Sequence, residues 1–403
     1  MSLPRLSARG QSPQVSDVHS TLHWLASLAP TRLTGTPEER AVQDAIAERL
    51  KPHGFEATVQ PFRFSRHIYG SLAMHFGLAL GFLAVGLYVP WLGASGHLVV
   101  ALSFYSEAVR RRHLLRLLRP RVATQNLILV KPARESLRRR VVLVAHVDSA
   151  YTGLMFHPAV LRQIAKPPPR VLFFLQKQLL LPFVCVLVLM GLEAVEPLFV
   201  PPLWLLVVLA VPIGLVFFFN ADVVLRNRVV PGAADNLSGC AAQIVVGEQT
   251  SVPPDVELVL VFTGAEEAGT GGAAHLARTC GWDPAITDIV ILDTLSNGTL
   301  HLLEEGEIFP VPMPEELAAS ARSAARSVGE PEPTPYPVPA GATDALPFLV
   351  EGFRAIALTC IDPEQHAPRN YHHPNDTADR VDPVQLEAST RIAQAMVRER
   401  MVR

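Results

Sequence analysis

Acidic and histidine side chains gather in this chain where apolar runs end. Val141–Ala145 leads into His146-Val147-Asp148-Ser149, Val256–Phe262 into Thr263-Gly264-Ala265-Glu266-Glu267, and Ile289–Leu292 into Asp293. Two further groups stand apart: Asp235 within Gly232-Ala233-Ala234-Asp235-Asn236-Leu237-Ser238-Gly239, and the segment Tyr371-His372-His373-Pro374-Asn375-Asp376-Thr377. Taken singly, each is ordinary. A lone histidine at a strand end is usually structural, and Glu-Glu or His-His pairs usually face water. Their conjunction carries more weight, because a carboxylate after an apolar strand is withdrawn from water and then needs a partner or a metal. Two imidazoles with three carboxylates form the mixed nitrogen and oxygen set that zinc accepts.

The elements that must position these groups follow from periodicity. Short β-rich runs lie at Glu56–Phe62, Asn126–Val130, Val141–Ala145, Val256–Phe262, Ile289–Leu292 and Ala355–Thr359. Helical segments lie at about Leu237–Glu248, Gly271–Thr279, Pro314–Val328 and Val384–Arg400. Another helix starts at Thr36-Pro37-Glu38-Glu39, with Thr36 as N-cap, Pro37 in the first turn and Glu39 placed for a capping box. Continuous apolar strands alternating with helices predict an α/β fold with a mostly parallel mixed sheet covered on both faces. Ligands bind beyond the carboxyl ends of strands in such sheets, so residues distant in sequence can converge there. The Pro-rich Pro331–Pro339 reads as a loop or stiff connector. No internal repeat is evident.

Two blocks interrupt this alternation. Of the 403 residues, 49% are apolar and 18% charged, against about 25% charged in a typical soluble domain. Mean hydropathy is +0.26. Disorder is excluded by that composition, and a net charge of -2 leaves nucleic-acid binding unsupported. Four separated cysteines suggest neither a disulfide framework nor a thiolate zinc site. Met1–Pro30 has no apolar core of the kind found in a secretory signal. The apolar excess lies at Tyr69–Ser106, 38 residues without Asp, Glu, Lys or Arg, and at Val171–Asn220. Within the second block Pro197–Phe219 is 23 residues without a charge, roughly 35 Å of helix against a hydrocarbon core of about 30 Å. Leu179–Leu192 alone suits a buried helix better than a span. Together the blocks read as two transmembrane hairpins, 69–106 and 171–220, with four spans. Gly77 and Gly81 form a small-xxx-small pair for close helix approach, and Lys177 is placed to snorkel. Residues 1–65, 108–170 and 221–403 then form one discontinuous domain. Arginines and lysines flank the hairpins, and their turns carry none, so the positive-inside bias places that domain in the cytoplasm, at the plasma or inner membrane. Arg110–Arg119 suits a basic amphipathic helix on the membrane surface, or an ordinary charged helix end.

The ordered set His146-x-Asp148, Gly-Ala-x-Asp235-Asn-x-Ser-Gly, Glu266-Glu267, Asp293 and Tyr-His372-x-x-x-Asp376-Thr resembles the co-catalytic zinc aminopeptidases of peptidase family M28. Arg32-Leu33-Thr34-Gly35-Thr36 and Thr343-Asp344-x-x-Pro347-Phe348 are similar to further blocks of that family. The resemblance implies the zinc aminopeptidase (phosphorylase/hydrolase-like) fold and two Zn2+ ions, with Co2+ or Mn2+ as possible substitutes. It implies that Asp235 bridges the ions, that His146 and Asp293 complete one and Glu267 and His372 the other, and that Glu266 is the general base. Asp148 is implied to accept the free N–H of His146. The substrate implied is a peptide or peptide-like amide. Two departures stand out: a whole hairpin between Asp148 and Asp235, and Ala345 where relatives often place a histidine. The hairpin leaves from the ligand-bearing end of the sheet, so the active-site mouth is expected to adjoin the bilayer and to receive hydrophobic substrates. Alternatives on the same scaffold are a one-zinc glutaminyl-cyclase-like enzyme and a carboxypeptidase or acyl-amino-acid amidase. A receptor-like protein without activity is disfavoured, because the ligand set is complete.

Overall fold

The computed structural model describes residues 17–169, 172, 176–196, 200–337 and 341–403. Helices α1 (Val18–Leu28) and α2 (Pro37–Leu50) precede strand β1 (Glu56–Phe64). Two long helices follow, α3 (Ile68–Gly86) and α4 (Pro90–Arg110), and the chain returns through β2 (Val122–Lys131) and β3 (Arg139–His146). A second excursion runs from β4 (Tyr151–Thr152) through α5 (Pro158–Ile164), α6 (Leu180–Ala194) and α7 (Leu203–Arg226) to β5 (Arg228–Val229), which pairs back on β4. The remainder is α8 (Ser238–Gln249), β6 (Val256–Thr263), α9 (Gly271–Thr279), β7 (Thr287–Leu292), β8 (Thr299–Glu304), α10 (Glu315–Ser327), β9 (Thr334–Pro337), α11 (Ala345–Val350), β10 (Arg354–Ile361) and α12 (Pro383–Val402).

Among the described residues eight strands form one mixed sheet, in the order β1-β2-β6-β3-β7-β10-β8-β9. Its centre, β6-β3-β7-β10, is parallel, so the carboxyl ends of these strands share one edge. Both faces are covered, which explains the unbroken apolar runs. Val141, Leu143, Leu258, Leu260, Val290 and Leu292 pack with α1, α2, α8, α10 and α12. The alternate residues Val142, Val144, Val259, Val261, Ile289 and Ile291 pack with α9 and α11. Each such side chain contributes about 1.5–3 kcal/mol on full burial.

The inserted helices form a bundle of their own. Phe76, Val100, Phe104, Phe183, Leu189 and Ile213 make its centre. Gly77 lets α7 come close, since a Cβ there would meet the Phe217 ring at 2.9 Å, whereas Gly81 faces open space. Large apolar side chains remain uncovered around the outside, among them Trp91, Leu102, Leu203, Trp204, Val208 and Phe218.

Several expectations need correction. Among the described residues two helices, not four, are long and apolar enough to cross a membrane: α3, with mean hydropathy 1.7, and α7, with 2.5. Polar residues such as Ser95, His97 and Glu107 dilute α4, and α6 has 15 residues, about 22 Å, short of a hydrocarbon core of about 30 Å. Arg110–Arg119 is not a surface helix: α4 ends at Arg110, Arg111 turns left-handed at φ 51°, and only a 3-10 turn at Leu115–Leu118 follows. Arg111 and Arg116 point inward and are buried. Lys177 does not snorkel; its Nζ donates to the carbonyl of Glu304 at 2.9 Å. Within the Pro-rich segment, Thr334–Pro337 is an edge strand parallel to β8, a place where proline is tolerated because one side of the ladder needs no donor. Glu39 completes no capping box, since its carboxylate accepts from the backbone N–H of Gly35 and from Thr124 instead. Residues 1–16, 170–171, 173–175, 197–199 and 338–340 lie outside the described residues, and with them most of the polar opening, parts of the second apolar block, and Val338 and Pro339 at the end of the Pro-rich segment.

Candidate metal centre

The sheet edge delivers three of the candidate groups directly. His146 is the last residue of β3, Asp293 follows the end of β7, and Glu266 and Glu267 follow the end of β6. Asp235 comes from the turn before α8, where the Asp235–Asn236 peptide is cis, and His372 from the loop after β10. Gly232 opens that turn at φ 65°, where a Cβ would meet the Asp235 carbonyl at 2.5 Å, so only glycine fits without displacing the backbone. His372 itself has φ 50° and Ala265, just before Glu266, has φ 59°. Left-handed non-glycine backbone persists only when its surroundings over-determine it.

The side chains converge on Asp235. Its Oδ1 lies 3.1 Å from His146 Nε2 and its Oδ2 lies 3.3 Å from His372 Nε2. His372 Nε2 is also 3.2 Å from Glu267 Oε2. Two trios result, His146–Asp235–Asp293 and Asp235–Glu267–His372, and within each the possible ligand atoms lie within 4.8 Å of one another. A third trio joins His146 and Glu267 to Glu266, whose Oε2 stands 3.9 Å from His146 Nε2. All of these except Glu266 are buried. Glu267 Oε1 has no hydrogen-bond partner among the described residues. A buried, unpartnered oxygen amid carboxylates and imidazoles fits cations as the missing counter-charge.

The electrostatics agree. Burial and the neighbouring Asp235 and Glu266 push the Glu267 carboxyl far up. Burial, with Asp344, Asp293 and Asp148, does the same to Glu266 against the pull of His146. Asp293 is raised to about 6, chiefly by burial. Asp235 goes the other way: burial opposes its ionisation, but hydrogen bonds from His146 and His372 hold it well below the usual range. So many carboxyl groups in one dry pocket repel each other until positive charge joins them.

A supporting layer fixes the groups. Asp376 accepts the backbone N–H of Ala234 and of Asp235, at 2.8 and 3.1 Å. Arg32, fully buried, donates to the carbonyls of Val147, Pro231 and Gly232 and stitches the His146 and Asp235 loops together. Asp148 differs from its expected role. His146 Nδ1 lies 3.1 Å from the backbone carbonyl of Asp148 and 3.7 Å from its carboxylate. That carboxylate instead accepts the backbone N–H groups of Glu266 and Glu267, both at 3.1 Å, and the hydroxyl of Thr34 at 2.8 Å. It orients the acidic pair, while the peptide carbonyl fixes the imidazole. Ala345 is buried against the second apolar core, and His373 lies outside the trios. Sequence reasoning missed Tyr69, whose hydroxyl is 2.8 Å from His372 Nδ1. It also missed Phe156, packed on the same imidazole at 4.5 Å between centroids. No local pattern marks either: Tyr69 opens the first apolar block, and Phe156 is a single phenylalanine between Asp148 and the second block.

Residues 219–397, which carry five of these six site residues, match the model of Peptidase family M28. Among solved structures the chain is similar to BSAP, a zinc aminopeptidase from Bacillus subtilis, with a TM-score of 0.58 and 15% identity, over 97% of this chain and 96% of that one. It is similar to an aminopeptidase from Aneurinibacillus sp. strain AM-1, with a TM-score of 0.55 and 16% identity over 96% and 93%. A glutaminyl cyclase from Porphyromonas gingivalis aligns with a TM-score of 0.56 and 12% identity over 96% and 98%. No curated protein matches. The sheet and its helices thus have the zinc aminopeptidase fold, and the resemblance of residues 219–397 to Peptidase family M28 supports a zinc-dependent hydrolase.

Proposed function

We propose that the chain is a membrane-integrated aminopeptidase that works with two zinc ions on peptides or peptide-like amides. The observation that carries this reading is Asp235, one oxygen turned to His146 and the other to His372. A carboxylate so divided suits a bridge between two ions, one completed by His146 and Asp293, the other by Glu267 and His372. When bound, the ions supply Lewis acidity that polarises the scissile carbonyl and lowers the pKa of water. The remaining chemistry belongs to the chain. Glu266, held by its backbone N–H on Asp148, is the general base that takes the proton of the attacking water and returns it to the leaving amine. Its raised pKa suits both transfers.

The bilayer part of the reading is supported by α7, of whose apolar window only 17% is buried. A core helix of a soluble protein would be mostly covered. Flanking arginines without counterparts in the hairpin turns favour the catalytic domain on the cytoplasmic side. Because the second excursion leaves from β4, just beyond His146, hydrophobic substrates can approach along the membrane. Full-length protein in lipid nanodiscs is expected to hold two zinc ions per chain by elemental analysis, and to cleave free-amine peptides in preference to N-blocked ones. One ion per chain, with cyclisation of N-terminal glutamine, would overturn the reading in favour of a glutaminyl-cyclase-like enzyme.

A further inference from the structure

The two halves of the centre are held by different parts of the chain. His146 and Asp293 are set by the sheet and the loops at its edge. The Glu267–His372 half is also touched by the first inserted hairpin, at both of its shoulders. On one side Tyr69, in the first turn of α3 and buried, places its hydroxyl 2.8 Å from His372 Nδ1. His372 Nε2 is the atom turned to Asp235 and Glu267; with a cation there, as the two-ion reading requires, Nδ1 carries the proton and the Tyr69 oxygen accepts it. On the other side, Arg116 donates to the carbonyl of Ala268, immediately after Glu267. Arg111 donates to the carbonyl of Gly269 at 3.1 Å. Both guanidinium groups belong to the strap that closes the hairpin. The same strap holds the root of α3, with Arg116 on the carbonyl of Ser65 and Arg119 on that of Gly70, each at 2.9 Å.

We propose that Tyr69 is a positioning residue for His372, through which the first inserted hairpin sets the metal affinity of the Glu267–His372 subsite and leaves the His146–Asp293 subsite unaffected. The inference rests on the two-ion reading above. A phenol oxygen accepting Nδ1–H holds the imidazole in one tautomer and one ring orientation, so that the Nε2 lone pair faces the cation. Loss of such an acceptor typically costs about 10–100-fold in metal affinity. Phe156 and Tyr371 pack on the ring and limit its tilt, but neither is recorded accepting its proton.

The test is chelator-competition titration of full-length protein in nanodiscs with Zn2+, repeated with Co2+ to follow each equivalent by its absorption spectrum. Tyr69→Phe keeps the ring and its packing and removes only the acceptor. It is expected to weaken one equivalent by about 10–100-fold, to alter that equivalent's cobalt spectrum, and to leave the other equivalent and the apo unfolding temperature unchanged. Tyr371→Phe, which also removes one hydroxyl beside His372, is expected to load both ions as the wild type does. A Tyr69→Phe chain that binds both ions with wild-type affinity, or weakens both equally, overturns the inference while the two-ion reading stands. A wild-type chain that binds fewer than two ions overturns that reading and the inference with it.

Discussion

The sheet edge and the inserted bundle solve the burial of charge in opposite ways. At the sheet edge, carboxylates crowd within one pocket, Glu267 Oε1 is left without a partner among the described residues, and the groups are placed so that they could hold cations. At the root of the bundle, charges are matched within the protein. Glu107 accepts from Arg116 at 3.1 Å and from Ser71, and Arg111 pairs with Glu307. Crowding of one sign of charge marks the place where chemistry is proposed. Pairing of opposite signs marks the joint beside it.

That contrast is open to attack at each end. The largest effect is expected at the sheet edge: Glu266→Gln should retain the wild-type metal content and the fold yet lose about 10²–10⁴ in kcat. Steady-state kinetics with metal analysis on the same sample checks this, and near-normal turnover would remove Glu266 from its role. At the joint, Arg116→Ala strands the buried Glu107, which should cost about 3–5 kcal/mol of stability. It should also loosen the Glu267–His372 subsite, because the carbonyl of Ala268 loses its donor. Denaturation and metal titration of the variant sharpen the comparison: a purely local destabilisation with unchanged metal affinity would mean that bundle and site are independent.

The smallest effect is a pH dependence between the two regions. Glu305 is buried beside Thr343, whose N–H and hydroxyl it accepts, and burial raises its pKa to about 7. From its unfolded value of about 4.5 up to about 7, the folded state keeps the proton that the unfolded state has released. Wild-type stability therefore falls as pH rises through that window, and above it the cost levels off at about 3 kcal/mol. Glu305→Gln retains an acceptor for Thr343 and has no proton to lose. Its stability relative to wild type should rise by that amount between pH 4.5 and pH 8. A pH-independent difference in unfolding temperature would place Glu305 in contact with water or with a cation.

Much of the site was legible because metal-type ligands are chemically rare after apolar strands. His146, Asp293 and Glu267 each follow a run whose apolar character had already declared it buried, and the parallel order of β6, β3 and β7 brings their ends together. The strands β8 and β9 were less legible. Thr299–Glu304 alternates weakly, and prolines in Thr334–Pro337 argue against a ladder unless its edge position is known. The span count was overread for a related reason: freedom from charge measures solubility in lipid, whereas crossing also requires helix length, which α6 lacks.

Composition and local pattern alone determined the α/β layering, the two apolar excursions and the pool of acidic and histidine groups from which the family resemblance picks the ligands, since each depends on residue type and short-range period. Tertiary structure decided what lies across space from what. It turned the Asp148 carboxylate toward two backbone N–H groups, buried Arg111 and Arg116 against the loop after Glu267, and brought Tyr69 to His372 from 303 positions away. Hydrogen bonds act over about 3 Å, and no pattern along a chain reports a distance that only folding creates.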